Sequence, residues 1–188
     1  MLLTHASAVT ERTRLGVAVM ALAIHHPLHV AHQCATLDYL TGGHAILGVC
    51  IGREHHYQDF AVAPKRRVKH FIEALKIWRK LWQNQPYSFA GEFYELHDAV
   101  ISLAPLQQPH LPIWTGAAHP DRVRRAARLG DDWIGAGSQP MAAFEESLQV
   151  LRNALPSATE GASQFPVSKR VFMVIDDDAN PTRERLCH

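Results

Sequence analysis

Two kinds of apolar segment alternate along the chain. Residues 14–24 (RLGVAVMALAI) are small and β-branched, with no polar alternation. This pattern predicts a strand buried on both faces, as in a parallel sheet. Pro27 then opens a segment in which Leu28, Val30, Ala31, Ala35, Leu37 and Leu40 recur at helical spacing, and Gly42-Gly43 closes it. Residues 45–52 (AILGVCIG) predict a second buried strand. Residues 68–82 form a helix with a wide apolar stripe that includes Phe71, Leu75, Trp78 and Trp82. Residues near 87–97 have aromatic-rich arms on either side of Gly91 and predict a small hairpin.

The alternation continues to the carboxyl end. The proline-rich residues 103–112 predict an extended connector feeding a strand at 113–115. A helix follows at 121–129, stopped by Gly130, then a strand at 132–136 and a helix at 142–155. Residues 168–176 are the last predicted strand, and Pro181 opens a final helix. Strict β-α alternation requires parallel strands with helical crossovers, so the fold class is α/β, read as one domain over 1–188.

Composition narrows the function. The 188 residues are 47% hydrophobic and 20% charged, with a net charge of +1, which excludes a disordered chain and a phosphate-seeking nucleic-acid binder. Three cysteines do not make a disulfide scaffold and suit a reducing, cytoplasmic setting. No apolar run reaches the ~20 residues of a membrane span. The opening MLLTHASAVTERTR has no cationic stretch ahead of its apolar residues, so no signal peptide is expected.

In α/β sheets ligands bind at the carboxyl ends of the strands. The positions to inspect are therefore 23–26, 50–53, 115–119 and 135–138. The third set is the most informative, because TGAAHPDRV runs from a strand through small residues into a helix start. Small side chains there let an anion approach N–H groups at the positive end of the helix. Tight packing of a βα turn asks for the same residues. His25, His29 and His32 fall on one helical face but lack a carboxylate at metalloprotease spacing, so no metal site is expected. His55 and His56 lie in a polar loop, where they either meet substrate or are solvated. Cys50, at a strand end, is the thiol best placed to react, and Cys34 reads as a small buried residue.

The ordered motifs TERTRLGVAVMALAIHHP, ATLDYLTGG, ILGVCIG, the helix with EAL-x2-W-x2-LW, GEFYEL, P-x-PIWTGA and RRAARLGDDW resemble the bacterial luciferase-like monooxygenase family. The resemblance implies a partial TIM-type (β/α)8 barrel carrying about strands three to seven, against a usual barrel size of ~250 residues. It implies FMN or the deazaflavin F420 as cofactor. With reduced FMN the reaction is O2-dependent oxygenation of a small organic substrate, supported by a separate flavin reductase. Hydride transfer with F420 is the alternative, and the thiol at Cys50 leans the resemblance toward the FMN branch. A non-catalytic flavin-binding relative and an inactive truncated one are the alternatives.

The family's cofactor contacts carry over to Ala18 and Val19, where a non-proline cis peptide is implied, to Cys50 and Ile51 at the ring edge, and to Thr115, Gly116, Ala117 and Ala118 at the phosphate. His26 and Cys50 are the candidate catalytic residues. A homodimer is the family's habit, and the aromatic surplus of helix 68–82 fits either a partner or packing within the barrel.

Overall fold

A computed structural model describes residues 1–54, 57, 60, 66–155 and 165–171. Five parallel strands form one sheet: β1 (Leu15–Ala21), β2 (Ala45–Cys50), β5 (Ile113–Gly116), β6 (Asp132–Gly135) and β7 (Val167–Lys169), in that spatial order. The crossovers carry α2 (Pro27–Leu40), α3 (Arg67–Leu81), α4 (Pro120–Leu129) and α5 (Met141–Ala154). The β3–β4 hairpin (Tyr87–Ala90 and Glu95–Ala99) is a separate two-stranded unit between α3 and β5. The six-residue helix α1 (Leu2–Ser7) was not foreseen, having too few apolar positions to show a period. The expected helix at Pro181 and the end of the strand predicted over 168–176 lie outside the described residues.

Local signals explain where the elements stop. Pro27 opens α2, and the His26 ring Nδ1 caps it by accepting the Leu28 N–H at 3.3 Å. Gly42 and Gly43 take φ of +64° and +86°, a conformation that ends the helix. The first predicted strand proved shorter than its apolar run. It ends at Ala21, and Leu22–Ile24 form a single tight helical turn.

The core lies between the sheet and the helices. Trp78 of α3 and Trp82 just after it are fully buried, and their indole N–H groups donate to the Pro27 and Ala31 carbonyls of α2 at 2.9 and 3.3 Å. The aromatic surplus of this helix is thus spent inside the chain, against α2. A second cluster packs Val123 and Ala126 of α4, Trp133 of β6, and Phe144 and Leu151 of α5. Trp133 and Phe144 stack with their centroids 5.0 Å apart.

Asp38 links distant parts of the fold. Its carboxylate is fully buried in α2 and accepts the N–H groups of Leu106, Gln107 and Ala45 at 2.7, 3.0 and 3.3 Å, as well as the Gln107 Nε2 at 2.6 Å. It therefore fixes the connector before β5 to the start of β2.

One sequence expectation is corrected. β2 is buried on both faces, as predicted, but β1 is not. Gly16, Val17 and Ala18 are exposed, Val17 at 38%. β1 is the terminal strand of the sheet, so among the described residues only β2 pairs with it. The apolar run measured the need for cover on that face and could not supply it.

Candidate functional site

The carboxyl ends of the five sheet strands converge on a cavity of about 470 Å³. Its floor is made of small residues: Ala18, Val19 and Ala21 from β1, and Gly116 from β5. The Ala18–Val19 peptide is cis, at the bond the family resemblance assigned. Close approach of the strands requires glycine. A Cβ on Gly48 would strike the Val17 carbonyl oxygen, and one on Gly116 would lie 3.0 Å from a Val19 methyl.

β5 hands over to α4 through Ala117 and Ala118, and both line the cavity. Their turn is fixed from behind: the Trp133 indole donates to the Ala117 carbonyl at 2.9 Å, and the Ala117 N–H donates to the Ile134 carbonyl at 3.2 Å. The His119 ring caps α4 by accepting the Asp121 N–H at 3.3 Å. Opposite, Gly135, Ala136 and Gly137 follow β6. The Arg170 side chain crosses where a Cβ on Gly137 would stand, with one terminal nitrogen at 3.1 Å from that point.

Cys50 lines the cavity, and burial raises its thiol pKa, partly offset by the Gly52 N–H and by Arg122. It is therefore protonated at neutral pH, which weakens it as a nucleophile. Cys34 is half-buried, and burial chiefly pushes its thiol up to about 12, so it too is protonated at neutral pH. Behind Gly52, Tyr57 is fully buried and its hydroxyl has no hydrogen-bond partner among the described residues. Arg53, Arg122 and Arg170 line the cavity, and no carboxylate does among the described residues. No group of three metal-ligating side chains is found among the described residues either.

Six of the expected site residues thus meet at one cavity: Ala18, Val19, Cys50, Gly116, Ala117 and Ala118. The side chains of Ile51 and Thr115 do not join them. Ile51 is packed in the core and is 8% exposed. The Thr115 hydroxyl is buried on the helix side, 2.6 Å from where a Cβ on Gly130 would be. Both follow from strand alternation, which turns neighbours of cavity residues outward. His26 is also corrected as a candidate acid or base. Its ring caps α2, stands edge-on to Tyr94 at 5.6 Å and is absent from the cavity wall. His55 and His56 lie outside the described residues. Arg53 falls within the inspected strand end 50–53 but has no role assigned from sequence, and the Arg170 guanidinium was missed because the strand predicted over 168–176 places it inside the strand, whereas β7 ends at Lys169.

A sheet of parallel strands joined by helices, with a cavity at the strands' carboxyl ends, is the arrangement of a partial (β/α) barrel. Residues 1–187 match the luciferase-like monooxygenase family, and the chain belongs to it. It is 30% identical over 177 residues to an F420-dependent glucose-6-phosphate dehydrogenase of Kineococcus radiotolerans, covering 92% of this chain and 52% of that protein. In fold it is similar to the monooxygenase RslO1 from Streptomyces bottropensis, with a TM-score of 0.82 and 21% identity over 97% of this chain and 56% of that one. It is likewise similar to the F420-dependent tetrahydromethanopterin reductase from Methanopyrus kandleri, with a TM-score of 0.80 and 20% identity, at the same coverages. The chain thus spans about half the length of the relatives it matches.

Proposed function

We propose that this chain is the cofactor-holding part of a flavin- or deazaflavin-dependent oxidoreductase. The observation that carries the reading is the pairing of two features on one cavity. A floor of small residues at Ala18, Val19 and Gly116 leaves room for a flat ring, and the Gly116-Ala117-Ala118 turn opens onto the amino terminus of α4, where a phosphate is favoured. Arg170 over Gly137 adds positive charge on the far wall. FMN and F420 both fit this lining, because each joins a planar ring to a phosphate and the described lining sets no carboxylate against it.

When bound, either cofactor supplies the redox chemistry: hydride exchange with F420, or oxygenation with reduced FMN and O2. The chain's own residues orient and shield. Val19 supports the ring position, the Ala117-Ala118 turn holds the phosphate, and Cys50 presents a neutral thiol at the edge. F420-dependent hydride transfer to or from a small alcohol or carbonyl compound is the favoured branch, because the 30% identical relative carries that activity in its name. The family resemblance and Cys50 order the branches the other way, with FMN and O2 first. Burial keeps the Cys50 thiol protonated at neutral pH, and a neutral thiol at the ring edge suits either branch.

Fluorescence titration of the purified chain with F420 and with FMN tests the reading. Saturable binding of F420, with FMN at least about tenfold weaker, is the expected result. The reverse order supports the monooxygenase branch, and binding of neither overturns the proposal.

A further inference from the structure

Positive charge at the cavity is not confined to the phosphate turn. Arg53 follows Gly52 at the end of β2, and Arg122 lies in the first turn of α4, facing β2 closely enough to influence both Cys50 and Tyr57. Their neighbours are already committed. Asp121 is turned away to Arg124 at 2.8 Å, and Glu54 lies 3.8 Å from Arg67. Neither Arg53 nor Arg122 makes an ion pair or side-chain hydrogen bond among the described residues. Arg170 lies against Gly137 beyond β6, so the charge falls at two places: one after β6 and β7, the other between the loop after β2, which carries Arg53, and the first turn of α4, which carries Arg122.

We propose that Arg53 and Arg122 form a second anion subsite, separate from the cofactor's phosphate turn, which holds a carboxylate or phosphate of the reacting substrate. This rests on the cofactor reading for the word substrate, but the subsite itself does not. Guanidinium groups suit such anions because they bind them through paired hydrogen bonds. The site therefore selects acidic alcohols or carbonyl compounds, and neutral analogues of the same size bind less well.

The test is calorimetric titration of the chain with inorganic phosphate, first alone and then after saturation with FMN or with F420. Phosphate is expected to bind the cofactor-saturated chain still. Arg53→Gln/Arg122→Gln is expected to weaken that binding at least about tenfold while changing cofactor affinity less than about threefold. Arg124→Gln, on the same helix but paired with Asp121, is expected to change neither. Full competition between phosphate and FMN overturns the separate subsite, as does loss of FMN affinity in the double variant. Displacement of phosphate by F420 but not by FMN assigns the pair to the cofactor's acidic tail and overturns the substrate assignment. If neither cofactor binds, the cofactor reading fails on its own, and phosphate binding that is indifferent to the double substitution then overturns the subsite.

Discussion

The two methyl carbons of Val19 lie 3.0 and 3.1 Å from the point where a Cβ on Gly116 would stand. One strand therefore keeps its side chain over the cavity floor only because another strand has none. Gly116→Ala forces Val19 to give by a few tenths of an ångström or to shift into the cavity. The expected outcome is an unchanged circular-dichroism spectrum with cofactor affinity at least about tenfold weaker, read by fluorescence titration. Unaltered affinity removes Val19 from the ring position.

Asp38 gives a prediction about stability. Replacing it with alanine leaves the N–H groups of Leu106 and Gln107 without an acceptor in a half-buried place. Asp38→Ala is expected to cost about 3 kcal/mol, read as a lower urea midpoint at unchanged slope. A loss below about 1 kcal/mol contradicts the linking role.

Asp132 sets a pH dependence. It is 1% exposed, and neither carboxylate oxygen has a well-formed hydrogen bond. Burial pushes its pKa up to about 6, with the Trp133 N–H and Arg14 acting in the other direction. A carboxyl pKa raised by folding destabilises the folded chain above about pH 6, and the penalty fades as pH falls toward the unfolded value near 4. Asp132→Asn is expected to raise stability at pH 7.5 by about 2 kcal/mol and to lose that advantage near pH 4, measured by denaturant titration at both values. An equal gain at both pH values places the cause elsewhere.

The thiols should differ in reactivity. In a Cys187→Ser background, alkylation of Cys50 by iodoacetamide is expected to be slow at pH 7, to rise only in alkaline solution and to fall when cofactor is bound. Cys34 is expected to stay unlabelled throughout. Rapid labelling of Cys50 at neutral pH contradicts a thiol shielded by burial.

Much of the frame could be read along the chain. Pro27 and Gly42-Gly43 mark helix limits through backbone chemistry that acts within a few residues, Gly130 ends α4 in an ordinary extended conformation and is small because Thr115 packs against it, and the period of 68–82 identifies the face that α3 buries. Strand ends could be located in the same way, so Cys50, Gly116, Ala117 and Ala118 were found as cavity residues. The order of motifs added the family and the Ala18–Val19 bond.

The sequence by itself determined the alternation of strands and helices, hence the parallel sheet, and the end of that sheet where a ligand belongs. These rest on local periods and short-range backbone preferences. Tertiary structure alone decided which side of each strand faces the cavity. It sent Ile51 into the core and Thr115 toward Gly130, and it used the His26 ring as a helix cap. It also decided that β1 stands at an edge, that Asp38 grips a segment 68 residues away, and that Arg53 and Arg122 face one cavity. A period of two fixes alternation but not its phase relative to the rest of the molecule. Charge meets charge across distances in sequence that no local pattern encodes.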